Sequence, residues 1–152
     1  MNVCGGEKNG NCTLYVERSL TSAIKKKFRK YKKIITTKQL TAKTICETYI
    51  PKNKNIEFCK NDVEGAEKSI LLGFDFENFK PNVFVLESLK VKDFKSWEYI
   101  LFNNSYKYAF KFSRNRFYYN SKLEGMKERF IGIKEKIILY INEFKKRNKK
   151  NK

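Results

Sequence analysis

Three carboxylates crowd one short stretch of the chain, Phe58-Cys59-Lys60-Asn61-Asp62-Val63-Glu64-Gly65-Ala66-Glu67, at the seam between an apolar run and an amphipathic segment. Asp62 and Glu64 stand two apart, and Glu67 follows three residues later. Acids at such a seam suit two jobs. They can cap a helix, where a negative charge meets the positive end of the helix dipole, or they can act as proton acceptors at the rim of an α/β active site. Asp62 precedes the helix and fits the rim better. Glu67 falls on the first helical turn, where capping and function compete evenly. Lys60, two residues before Asp62, is placed to pair with an acid and keep it ionised. A fourth acid, Glu87, closes the apolar run Asn82-Val83-Phe84-Val85-Leu86.

The remaining residue types narrow the chemistry. There is no histidine, so every mechanism built on a histidine base is excluded, the serine triads among them. Cys4, Cys12, Cys46 and Cys59 form no CxxC pair, which argues against structural zinc and for free thiols in a reducing cytosol. No metal ligand is therefore assigned, although Asp62 and Glu87 offer the oxygen ligands a divalent cation takes.

The elements that must hold these acids follow from periodicity. "IEFC" at 56–59 reads as a short buried strand, and "GAEKSILLGF" as a helix with Ala66, Ile70 and Leu71 on one face. "NVFVLES" reads as an apolar strand of the parallel kind. "FKSWEYILFNN" reads as a helix carrying Trp97 and Leu101. "YKYAFKF" and "NRFYYN" form an antiparallel hairpin. The order β-α-β-α-β-β describes an open α/β sheet with an antiparallel edge. In such a sheet the carboxyl ends of the strands form the ligand crevice, so Asp62, Glu64 and Glu87 are expected at one mouth.

Upstream, strand-like pieces at 2–4 and 13–16 flank "GGEKNGN", read as a hairpin turn because it lacks GxGxxG spacing. Ile34–Thr37 reads as a short strand. "LTAKTICETYI" reads as a helix with Leu40, Ile45 and Tyr49 on one face, stopped by Pro51. Downstream, residues 121–152 space Met126, Phe130, Ile133, Ile137, Ile141 and Phe144 by threes and fours, an amphipathic helix running into a basic tail. The chain thus divides into a body at 1–120 and a helix with tail at 121–152.

With 34 Lys+Arg against 16 Asp+Glu, the 152-residue chain carries a formal charge of +18. The lysines spread over nearly every segment, which fits a genome-wide coding bias better than a dedicated surface. The densest run, "KKKFRKYKK" at 25–33, reads as a solvated loop, with nucleic acid or an anionic membrane surface as the sharper alternative. The helix at 121–152 packs on the body by the same reading, peripheral membrane contact being its alternative. No apolar stretch has the length of a membrane span, and no signal-peptide pattern opens the chain, so the location expected is cytoplasmic.

The stretch 58–88 resembles the central signature of the FkbM family of S-adenosylmethionine-dependent methyltransferases. That pattern is an apolar strand, K-I-D-V-E-G-x-E, an apolar helix ending in glycine, then R/K-P before an apolar strand closing on glutamate. Lys60, Asp62, Val63, Glu64, Gly65, Glu67, Gly73, Pro81 and Glu87 match it. Trp97, Ser105-Tyr106 and the N-R-F-Y of Asn115–Tyr118 resemble further family positions, so the likeness covers roughly residues 30–119. Asn61 departs from it, standing where the family places an apolar residue.

The resemblance implies a partial Rossmann-like class I methyltransferase sheet, with parallel strands, the antiparallel C-terminal hairpin and the amphipathic helix beyond. It implies transfer of a methyl group from S-adenosylmethionine to a hydroxyl of a sugar or secondary metabolite. Asp62, Glu64 and Lys60 would be catalytic, and Glu67, Glu87 and Asn115 would bind the acceptor. The family's cofactor elements, a glycine-rich turn after the first strand and an acid ending the second, lie upstream of the resembling part. The expectation is therefore a truncated domain, inactive alone or completed by a partner chain, and no cofactor-binding residue is assigned. A non-catalytic remnant and a basic nucleic-acid or membrane-surface protein stand as the alternatives.

Overall fold

The computed structural model describes residues 3–17, 20–22, 31–51, 54–88 and 91–150. Within them, eight strands form two four-stranded sheets, flanked by five helices.

The first sheet holds β1 (Cys4–Gly6), β2 (Gly10–Glu17), β3 (Leu20–Ser22) and β4 (Lys33–Thr41) in the order β1-β4-β2-β3. β4 pairs antiparallel with β2, from Gly10 opposite Gln39 to Val16 opposite Lys33, and β1 joins its other edge in parallel. The expected hairpin at "GGEKNGN" is therefore corrected, because β4 lies between β1 and β2. Side chains tie that loop to the end of β4 instead of closing it on itself. Gln39 Nε2 donates to the Lys8 carbonyl at 2.8 Å, and Asn9 Oδ1 accepts from the Thr41 N–H at 2.8 Å. Ile34–Thr37 sits inside β4, as expected. Most of the basic run at 25–33 lies outside the described residues; at its end, the Lys32 N–H donates to the Val16 carbonyl.

Thr41 caps α1 (Ala42–Tyr49), accepting from the Thr44 N–H at 3.0 Å. This start shifts the helix relative to expectation. Leu40 belongs to β4, Tyr49 is 58% exposed, and the inward face is Ala42 and Cys46, one turn apart.

The second sheet carries the candidate site. It holds β5 (Phe58–Asn61), β6 (Val83–Glu87), β7 (Tyr106–Phe112) and β8 (Asn115–Asn120) in the order β5-β6-β8-β7. β5 and β6 run parallel, joined through α2 (Glu67–Leu72), while β8 pairs antiparallel with both β6 and β7. The β-α-β-α-β-β order with an antiparallel edge is what periodicity predicted. β5 is the other edge, however, so its expected burial is corrected: Phe58 is 65% exposed. β6 is interior, and its Phe84 and Leu86 have no accessible surface.

The expected helix around Trp97 is two short ones, α3 (Val91–Lys95) and α4 (Glu98–Asn103). Trp97 stands at the break, its ring buried edge-on against Tyr118 and its backbone N–H bonded to the Phe94 carbonyl. The core then runs through Leu71, Phe84, Leu86, Leu101 and Tyr106, whose hydroxyl donates to the Pro81 carbonyl at 2.7 Å. The first sheet meets this body at β1, where Gly5 packs under Ile70, and at α1, where the Lys43 N–H donates to the Gly73 carbonyl.

α5 (Met126–Lys150) docks its first turns, Met126 and Phe130, on Phe110 and Tyr119. Farther along, Ile133 and Leu139 are exposed, and the side chains at 137, 141 and 144 lie outside the described set. Among the described residues no helix is long and apolar enough to cross a membrane.

Candidate active site

The parallel pairing of β5 with β6 puts Asn61 opposite Leu86, so both strands end at the same rim. Asp62 leaves the end of β5, and Glu87 is the last residue of β6. Between Asp62 and α2 the chain turns sharply. Glu64 adopts φ +54° and Gly65 φ +103°. A left-handed glutamate costs about 1 kcal/mol, and glycine beside it removes a second such cost. The turn carries Glu64 back over the rim. One carboxylate oxygen from each of Asp62, Glu64 and Glu87 then lies within 4.8 Å of the others. The expectation of a shared mouth holds.

Charge in this small space has a measurable consequence. Burial raises the Glu87 carboxyl above its ordinary value, and the Asp62 and Glu64 charges raise it further, with Arg114 acting against them. The rim therefore contains one acid that holds its proton more readily than an isolated glutamate does. Lys60 donates to Asp62 Oδ2 at 3.0 Å, as its spacing suggested. Both side chains of this pair are nearly half exposed, so it orients more than it stabilises. Asn115 lies directly opposite Glu87 in the β6–β8 ladder, and paired residues face the same side of a sheet.

Glu67 does not join the others. It is 4% exposed, and its carboxylate accepts from the Gly65 N–H at 3.3 Å. Of the two roles open to it, this contact is the local one: it holds the Glu64–Gly65 turn.

The sequence reading missed a buried charged group on the neighbouring strand β8. Arg116 is buried between the rings of Phe94 and Tyr108, at 3.7 and 4.2 Å from their centroids. Its guanidinium donates to Glu98 and to the Tyr118 hydroxyl, and that hydroxyl donates to the same Glu98 oxygen at 2.7 Å. The signal was present, since Arg116 belongs to the N-R-F-Y element. Its partner, eighteen residues earlier, has no local mark.

Two cofactor questions can be put to the chain itself. The three clustered oxygens are a hard-donor set, of the kind divalent cations accept, and they include no zinc-type ligand. The glycines near the N-terminus do not form a cradle for a nucleotide-sized group. A Cβ on Gly5 would strike Ile70, and one on Gly6 would strike Gln39, so the chain's own side chains fill that space. A cavity of about 630 Å³ does lie between β2, β4 and the start of α2, lined by Asn11, Cys12, Tyr15, Gln39, Lys68 and Ser69 among others.

The family model for the methyltransferase FkbM domain matches residues 2–112, a span running from the N-terminal edge of the first sheet to the end of β7. No curated protein and no solved structure gives a match. The matched span also takes in β1, β2 and β3, which lie before the part of the chain that the resemblance by signature covered. With well over half of its residues inside that match, and the carboxylate rim within it, the chain belongs to the FkbM methyltransferase domain family.

Proposed function

We propose that the rim at 62, 64 and 87 is the acceptor side of a methyl transfer onto a hydroxyl oxygen, with S-adenosylmethionine as donor and the second sheet as part of a Rossmann-like class I arrangement. The single observation that supports this most is the convergence of three carboxylates from the ends of two parallel strands. Methyl transfer from a sulfonium is an in-line displacement, so alignment of the acceptor oxygen matters most, and removal of its proton comes next.

Asp62, held in place by the Lys60 ammonium, and Glu64 are the proton acceptors in this reading. Glu87 is the one of the three that retains a proton most readily, which lets it donate a hydrogen bond to a neighbouring oxygen of the acceptor. Asn115 lies opposite it and adds an amide to the same wall. A polyol such as a sugar suits a rim of this kind, because adjacent hydroxyls can be held by adjacent carboxylates. The donor supplies an electrophilic methyl group. The residues present do not supply its cradle, since Gly5 and Gly6 are filled by Ile70 and Gln39.

That same filling favours a second reading, in which the chain is active only when a partner chain contributes the donor site. Isothermal titration of the full chain with S-adenosylmethionine separates the two, because heat of binding supports the first and its absence the second. Where binding is found, release of S-adenosylhomocysteine in the presence of a panel of glycosides measures transfer. Asp62→Asn or Glu64→Gln should then lower turnover by about 10²–10⁴-fold without loss of fold. Unchanged turnover in both variants would remove the rim from the reaction.

A further inference from the structure

Cys4 and Cys12 stand on different strands, β1 and β2, with β4 between them. Cys4 is in register with Gln39 and Cys12 with Thr37. Residues two apart on one strand face the same side, and partners in register share that side. Both thiols therefore rise on one face of the first sheet, and they meet above β4. The Cys12 thiol donates to the Cys4 sulfur at 2.8 Å. That separation is well inside ordinary contact between sulfurs and less than an ångström from the bond length of about 2.05 Å.

The pair is reachable. Cys12 is only 7% exposed, but it lines the cavity between the first sheet and α2, and Cys4 is half-buried. Neither cysteine belongs to the carboxylate rim, so nothing in the methyl-transfer reading uses them.

We propose that Cys4 and Cys12 are a reversible disulfide site, closed by a small-molecule disulfide that enters through this cavity and clips β1 to β2 across β4. The reaction balances as two exchanges. Cys12 loses its proton to solvent and its sulfur attacks one sulfur of the reagent. The reagent's S–S bond breaks, and one thiolate leaves and takes up a proton. Cys4 then loses its proton and attacks the Cys12 sulfur, releasing the second half of the reagent as a thiol. Two protein thiols are oxidised to one disulfide, and one reagent disulfide is reduced to two thiols. The first attack falls to Cys12 because it lines the cavity by which the reagent enters, and burial and the neighbouring Cys12 push the Cys4 thiol up to about 12, which makes closure slow at neutral pH.

The sequence makes the test direct, because Lys8 separates the two cysteines and trypsin releases them on different peptides, 1–8 and 9–18, with Cys46 and Cys59 on two others. The full chain is incubated under native conditions with oxidised glutathione, alkylated, digested and examined by mass spectrometry. The expected product is peptide 1–8 joined to peptide 9–18 with loss of two hydrogens, reversed by dithiothreitol, while Cys46 and Cys59 are alkylated. In Cys4→Ser the second exchange is blocked, so glutathione should stay on Cys12. Four alkylated thiols in the wild type, a lasting glutathione adduct on its Cys12, or a link from Cys12 to Cys46 or Cys59 would each overturn the proposal.

Discussion

Arg116 and Glu98 close a buried ion pair at 2.8 Å, one on the inner strand β8 and the other on the first turn of α4. The guanidinium lies flat between Phe94 and Tyr108, and Tyr118 bonds to both ions. Arg116 Nε and Nη2 and Glu98 Oε1 are thus all bonded within one group, and such added hydrogen bonds are what lets a buried ion pair persist. Replacing Arg116 with Met leaves Glu98 charged and unpaired, and stability should fall by about 3 kcal/mol. The double change Arg116→Met with Glu98→Leu should recover part of that loss. Urea denaturation of the three proteins measures both effects, and a loss below about 1 kcal/mol for the single variant would show that the pair is not desolvated as described.

Asn61 departs from the family pattern at a cost the structure makes visible. It is 7% exposed at the end of β5, and its Nδ2 group has no hydrogen-bond partner. Its Oδ1 accepts only a long contact from Cys59 Sγ at 3.8 Å. A buried amide in this state costs about 1–3 kcal/mol, so Asn61→Leu, similar in size, should raise stability by about 1 kcal/mol. A higher denaturation midpoint with an unchanged slope is the expected result. A lower midpoint would mean that the amide is satisfied in solution.

Gly73 offers a steric test of how the first sheet meets the body. Its φ is −86°, so alanine would suffer no backbone strain, but the added methyl carbon would strike the Gly6 carbonyl oxygen. That neighbour is backbone and has little room to move. Gly73→Ala should therefore destabilise by about 1–3 kcal/mol. Gly132, on α5, has nothing within 4 Å of the same position, and Gly132→Ala should stabilise by about 0.5–1 kcal/mol through helix propensity alone. Thermal melts of the two variants should move in opposite directions.

Glu87 gives the rim a pH signature. Its carboxyl is raised above the ordinary 4.5 by burial first and by Asp62 and Glu64 next. The folded chain therefore binds this proton more tightly than the unfolded chain does. Stability contributed by the group is fully present below 4.5 and is lost as pH rises through the raised value. Glu87→Gln removes that loss. The variant should gain on the wild type in denaturation midpoint between pH 4 and pH 7, and a constant difference across that range would show that Glu87 titrates normally.

Sequence alone determined the order of elements around the site and the types of residue within it. Strict alternation in "YKYAFKF" and the apolar run of "NVFVLE" fixed two strands, because a two-residue period leaves few other solutions. The acids at 62, 64 and 87, with the lysine at 60, were likewise visible as a spaced set before any coordinates. What local spelling could not decide was which strand lies beside which. The placement of β4 between β1 and β2 depends on pairing partners some thirty residues apart, and it turned an expected hairpin into a crossover. The exposure of Phe58 follows from β5 being an edge, a property of the whole sheet. Glu67 and Glu64 are chemically the same residue, three positions apart. Only the left-handed turn between them sends one to the rim and the other into the core. The physical reason is common to all these cases: periodicity reports which side of an element is apolar, whereas neighbours are chosen by contacts between segments distant in the chain.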